Sequence, residues 1–251
     1  MPDLAVQSMI RRDFRSPNHT ERRGTDRPDM VVLHYTGMKS CAAAIARLCD
    51  PAAEVSAHYV VDLSGEIYAL VDEEHRAWHA GRGAWGAVAD VNSHSIGIEI
   101  VNPGHELGYP PFPEPQMRSV EWLVSAAMDR WRISPGRVVG HACIAPGRKI
   151  DPGEKFDWRR LARQGLAVWL DSLPADAAPA DADRFRKAAA NIGYPVPKEL
   201  GWSDELENVR RSFAMRFLPH RVQARPSASD VIHAERIAKK WPIIDPERPT
   251  Q

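Results

Sequence analysis

Apolar residues recur along this 251-residue chain in short blocks, and their spacing predicts most of the elements. Met30-Val31-Val32-Leu33 is an unbroken apolar run that reads as a buried strand, and it ends on His34 and Tyr35. Ser40 is placed to cap a helix through Leu48, with Ile45, Leu48 and Cys49 on one face. Residues 57–71 predict two strands joined at Ser64-Gly65. Residues 95–101 read Ser-Ile-Gly-Ile-Glu-Ile-Val, a strand with Ile96, Ile98 and Ile100 on one face. Period two then assigns Gly97, Glu99 and Val101 to the other. Prolines 103, 110, 111, 113 and 115 predict a loop. Beyond it Met117, Val120, Val124, Met128 and Trp131 repeat at helical spacing. A short strand over 137–140 leads into His141, the turn-rich segment to Gly153 predicts a loop, and a last helix covers about 158–170.

Strands alternating with helices around a mixed central β-sheet give an α/β class for residues 29–170. Residues 1–28 are polar and rich in Arg, Pro and Asn, and predict an irregular arm. Residues 171–181 have a linker's composition. Residues 182–251 carry three helical patterns, near 182–192, 204–217 and 228–241, enough for a small α-helical bundle that is marginal alone and stable when docked.

Composition narrows the class without naming it. Lys plus Arg and Asp plus Glu are both 33, so nothing in the net charge argues for nucleic acid or an anionic membrane. No run approaches the ~20 apolar residues of a transmembrane helix. No apolar stretch follows the basic residues Arg11-Arg12, and no N-terminal cysteine is placed to carry a lipid. The expectation is a cytoplasmic monomer, or a periplasmic one if a leader precedes Met1. Cys41, Cys49 and Cys143 form no Cys-x-x-Cys pair, which suits a reducing compartment.

Three segments carry candidate chemistry: His34 at a strand end, Glu99 on one face of a strand, and the loop from His141 to Asp151. A catalytic zinc takes three ligands from His and carboxylate and keeps a fourth position for water. Two imidazoles and one carboxylate would leave a net charge of about +1, enough to acidify that water. Spacing alone does not separate such ligands from structural histidines.

The motifs do. Leu33-His34-Tyr35-Thr36, Ser56-Ala57-His58-Tyr59-Val60-Val61, Ala77-Trp78-His79-Ala80-Gly81, Gly97-Ile98-Glu99-Ile100-Val101-Asn102 and Pro146-Gly147-Arg148-Lys149-Ile150-Asp151-Pro152-Gly153 follow one another in the order of the type 2 N-acetylmuramoyl-L-alanine amidases, zinc enzymes of the AmiD/AmpD-like kind. The resemblance spans residues 14–170. More loosely, Ala188–Tyr194 and Phe213–Pro219 resemble the helical peptidoglycan-binding module that follows this domain in some members. The resemblance implies one Zn2+ per chain on His34, His141 and Asp151. It implies Glu99 as acid/base and Lys149 as transition-state support. The implied substrate is a muropeptide or peptidoglycan, cleaved between N-acetylmuramic acid (or its 1,6-anhydro form) and L-alanine, in wall turnover or recycling.

Each remaining signal has a plainer reading beside it. Tyr35, Trp78, His79, Asn102 and Arg148 are candidate substrate contacts. His79 serves equally as a structural hydrogen-bonding residue, Trp78 as a sugar platform or core residue, and Arg148 as the partner of a surface acid. His58 reads best as a satisfied core histidine. His75, His94, His105, His220 and His233 lack motif context and read as surface residues. Cys143 is a remote alternative ligand. Two other functions stay open at this point: a non-catalytic peptidoglycan-recognition module, and a cysteine hydrolase pairing Cys143 with His141.

Overall fold

In the computed structural model the described residues are 10–171 and 178–244. The strands in chain order are β1 (Ile10–Arg11), β2 (His19–Thr20), β3 (Met30–Tyr35), β4 (Tyr59–Val61), β5 (Ile67–Ala69), β6 (Arg76–Ala77), β7 (Ser95–Ile100) and β8 (Val138–Gly140). Six of them form one mixed sheet in the order β1-β5-β4-β7-β3-β8, with β4 and β5 antiparallel and the other neighbours parallel. β2 and β6 pair separately.

The two faces of the sheet are covered differently, and this creates the cleft. Val31, Leu33, Ile96, Ile98 and Ile100 point to one side and meet Met117, Val120, Leu123 and Val124 of the Glu114–Trp131 helix. Alternation therefore sends Met30, Val32 and His34 to the other side. That side has two separate covers. Met30, Val32 and Val139 lie under Trp85, Cys143 and the helical unit's Phe185, Phe213 and Phe217. Val60, Leu70 and Val101 lie under Ile45 and Leu48 of the Cys41–Cys49 helix, whose first turn Ser40 caps by accepting from the Ala43 N–H. Between these covers the ends of β3 and β7 lie open.

Several elements depart from the sequence expectation. The arm is not irregular throughout: β1 adds to β5 and β2 to β6. Two-residue strands have no periodicity of their own and exist only through their partners' hydrogen bonds. The guanidinium of Arg22 enters the fold and donates to the carbonyls of Glu73, Ser93 and Ser95. The 114–131 helix begins inside the proline-rich stretch, because Pro115 sits in its first turn, where no N–H is needed. Residues 141–144 form a short helical turn within the expected loop. The final helix of the α/β unit stops at Arg163, and Leu166, Ala167 and Val168 continue into the core without helical structure.

Three further helices, Ala182–Ile192, Asp204–Phe217 and Ala228–Lys240, make the C-terminal unit. Of the expected linker, residues 172–177 lie outside the described residues. The helical unit shares one apolar cluster with the α/β unit. Gly193 ends the first helix at φ +123°, and a Cβ there would fall 2.6 Å from the Trp85 ring, so the turn presses directly on the α/β unit. The Gly86 N–H donates to the Gly193 carbonyl at 2.8 Å across the same contact. Among the described residues no helix is long and apolar enough to cross a membrane.

Candidate metal centre and active site

β3 and β7 run parallel with His34 opposite Glu99, so both side chains leave the same face at the cleft floor. The β8 strand leads directly into His141, and the following loop returns so that the Ala142 N–H donates to the Asp151 carbonyl at 2.8 Å. That return folds Asp151 back over His141. Residues 107 and 117 apart in sequence thereby meet: His34 Nδ1 lies 2.9 Å from His141 Nδ1 and 3.1 Å from Asp151 Oδ2, and His141 Nδ1 lies 3.1 Å from the same oxygen. All three residues are buried.

These atoms form a near-equilateral triangle whose edges suit three ligands at ~2.0–2.2 Å from one zinc-sized ion. Proton placement supports the fit. His141 Nε2 faces the Ala80 carbonyl at 3.0 Å and must donate there, which leaves the lone pair of a neutral ring on Nδ1. His34 is pushed down to about 4 by burial and by His141, so it is neutral near pH 7. Lone pairs converging this closely in a buried site call for a cation. Among the described residues this is the one group of three or more His, Cys, Asp or Glu side chains disposed to hold a metal.

A cleft of about 490 Å³ opens above the triangle, lined by Glu99 and Lys149 together with Tyr35, Trp78, His79 and Arg148. Glu99 Oε2 is inaccessible and has no hydrogen-bond partner among the described residues. Burial and the Asp151 charge raise the Glu99 pKa well above its ordinary value, with the Lys149 ammonium opposing. A carboxyl held this way is suited to carrying a proton near neutral pH. Lys149 is half-buried at the rim, and its charge acts on both Glu99 and His34.

The remaining candidates divide. Both ring nitrogens of His79 are engaged inside the protein, with His34 and Ser95. Arg148 donates to the backbone carbonyls of Ala80 and Arg82 instead of pairing with an acid. Asn102 is fully buried, donates to the Pro110 carbonyl and accepts from the Gly104 N–H, so it braces the loop beside the cleft and does not line it. His58 is a satisfied core residue: its Nδ1 accepts from the Gly97 N–H and its Nε2 meets the His75 carbonyl. Cys143 is buried and faces the Tyr194 hydroxyl at 3.5 Å, away from the triangle, which removes it as ligand or nucleophile.

Periodicity and motif overlooked several residues. Arg47, Met38 and Glu106 line the cleft. His105, read as a surface residue, also lines it, bridging the Tyr35 hydroxyl to Glu154 and stacking on Tyr109 at 4.1 Å. His233 is not on the surface either but 1% exposed in the helical unit. Nothing in the local sequence signals these placements, because each depends on a partner from another segment.

Known proteins share the sequence pattern and the fold. Residues 24–154 match the N-acetylmuramoyl-L-alanine amidase family. The chain is 32% identical over 232 residues to the N-acetylmuramoyl-L-alanine amidase AmiD of Escherichia coli, covering 84% of this chain and 83% of that protein. It is 31% identical over 163 residues to the 1,6-anhydro-N-acetylmuramyl-L-alanine amidase AmpD of Citrobacter freundii, covering 58% of this chain and 85% of that one. The structure of Escherichia coli AmiD in complex with the substrate anhydro-N-acetylmuramic acid-L-Ala-D-gamma-Glu-L-Lys superposes with a TM-score of 0.78 at 30% identity, over 92% of this chain and 93% of that one. A shared fold, a family match across the whole cleft and a relative aligned over most of both chains lead to one conclusion: this chain belongs to the N-acetylmuramoyl-L-alanine amidase family of hydrolases.

Proposed function

We propose that the protein hydrolyses the amide bond between N-acetylmuramic acid, or its 1,6-anhydro form, and the L-alanine of a stem peptide, using one zinc ion held by His34, His141 and Asp151. The observation that carries this reading is the triangle of two imidazole nitrogens and one carboxylate oxygen with edges of 2.9–3.1 Å, open to a cleft containing Glu99 and Lys149. The substrate class follows from the family and from the anhydro-muropeptide bound to the similar amidase of Escherichia coli.

An amide is a weak electrophile with a poor leaving group, so cleavage needs help at the carbonyl, the nucleophile and the departing amine. Zinc, when bound, supplies a Lewis acid for the carbonyl and lowers the pKa of an attacking water. Glu99 accepts that water's proton and returns it to the amine, a task suited by its raised pKa. Lys149 holds a positive charge at the cleft rim for the developing oxyanion. Asp151, the carboxylate of the set, would cancel part of the metal charge.

The α/β unit is proposed as the catalytic domain. The helical unit is proposed as a docked peptidoglycan-binding module; its shared apolar cluster supports a fixed position. The deciding experiment is mass spectrometry of products from a defined anhydro-muropeptide. Release of an intact stem peptide is expected, lost with chelator and restored by zinc. Undiminished cleavage after complete metal removal would discard the mechanism.

A further inference from the structure

The ring of His79 lies behind His34, on the side away from the proposed ion. Ser95 Oγ is 2.6 Å from the Val91 carbonyl, which can only accept, so the Ser95 hydroxyl donates there. His79 Nε2 is 3.2 Å from the same Oγ and therefore donates its own N–H to it. His79 is buried, and its ring nitrogens meet only Ser95 and His34, with no acid to balance a second proton. Its Nδ1 then carries a lone pair, 3.0 Å from His34 Nε2, and His34 must donate. A neutral His34 with its proton on Nε2 has its lone pair on Nδ1, the atom aimed at His141 and Asp151. One carbonyl oxygen at the far end thus sets every proton along the chain.

The surroundings hold this relay in place. Asn92 Oδ1 accepts from the backbone N–H groups of both His79 and Ala80. Gly97 gives the ring its space, since a Cβ there would fall 2.4 Å from His79 Cγ. No rotamer adjustment of an alanine could relieve a contact that close.

We infer that His79 is a positioning residue that, with Ser95, fixes the tautomer and orientation of His34 as a metal ligand. This rests on the proposed zinc site, and it removes His79 from the substrate contacts because neither ring nitrogen is left over. Outer partners of this kind commonly contribute 10–100-fold to metal affinity.

The test measures zinc affinity of the full-length chain by competition with a chromogenic chelator. His79→Ala should weaken zinc binding roughly 10–100-fold. His79→Asn, whose amide oxygen can take the place of Nδ1, should recover most of that loss. Gly97→Ala leaves His79 chemically intact but displaces its ring, and should weaken binding in the same direction. Ser95→Ala should have the smallest effect. In the zinc-loaded unaltered protein, imidazole nitrogen NMR should find His34 protonated at Nε2. Zinc binding by His79→Ala as tight as the unaltered chain's, or a His34 ring protonated at Nδ1, would overturn the relay while sparing the metal site. Failure of the unaltered chain to bind one zinc would overturn the metal site itself and the relay with it.

Discussion

Two regions of this molecule bury histidines, and they do so in opposite ways. Around the cleft, both ring nitrogens of His34, His79 and His141 have partners, and the set converges on one point. In the helical unit, neither ring nitrogen of buried His233 has a partner among the described residues, and three nitrogens of buried Arg216 lack one there as well. Arg216 instead lies over the faces of Trp158, at 4.5 Å, and Phe217, at 5.0 Å. A buried polar group costs stability unless it is satisfied; the cleft histidines meet that condition, as do Arg210 and Asp230 of the helical unit, and His233 and Arg216 do not. The lesson is that burial of a histidine does not mark a site; a directed hydrogen-bond chain ending at converging lone pairs does. Glu99 is the informative exception at the cleft, a lining carboxyl with one inaccessible oxygen that has no partner among the described residues.

This contrast predicts that cleft substitutions change turnover while leaving stability nearly intact, and that helical-unit substitutions do the reverse. The largest effect is expected from Glu99→Gln, which should retain zinc and lower turnover ~10²–10⁴-fold. Near-normal turnover in a steady-state assay would show the proton is handled elsewhere. Lys149→Met should lower turnover by ~10²–10³, the scale of losing one charge at an oxyanion, with little change in melting temperature. His233→Leu should act on stability alone. His233 is pushed down to about 4 by burial and by Arg236, against 6.5 when exposed, so the unfolded chain binds more protons between those values. Its contribution is fully favourable above pH 6.5 and is lost as pH falls towards 4, by up to ~3 kcal/mol. The variant's stability, followed by denaturant titration across that range, should therefore fall less steeply; an unchanged pH slope would contradict the burial of this ring. Arg216→Met is expected to change stability by no more than ~1 kcal/mol, because relief of unpaired donors is offset by the lost stacking on Trp158. A loss of several kcal/mol in thermal or chemical unfolding would show that the stacking dominates.

The docked helical unit sharpens the comparison further. Its Asn208 side chain fills the space beside Gly147, where a Cβ would fall 2.5 Å from Nδ2, on the loop that carries Lys149 and Asp151. The unit that buries His233 and Arg216 therefore also supports the loop that carries part of the site.

Much of this was legible in the chain alone, and the reasons are local. The alternation of Ile96, Ile98 and Ile100 against Gly97 and Glu99 specifies a strand and the side from which Glu99 projects, because β geometry has a period of two. The run from Met30 to Leu33 ending at His34 does the same for β3. The ordered motifs named the three residues that meet at the triangle. Local pattern could not show that β1 and β2 are strands, that the helix after Asp157 ends at Arg163, or that His105 and His233 are not surface residues. Each of these depends on what another part of the chain places beside it.

The sequence by itself determined which residues could bind and catalyse and which face of each strand they occupy, since side-chain chemistry and backbone period are properties of a few consecutive residues. Tertiary structure alone decided that His34 stands opposite Glu99, that the 141–151 loop returns Asp151 to within 3.1 Å of both imidazoles, and that His79 rather than solvent orients His34. Those outcomes rest on register, loop closure and hydrogen bonds between residues tens of positions apart, and their free energy appears only when the whole chain is folded.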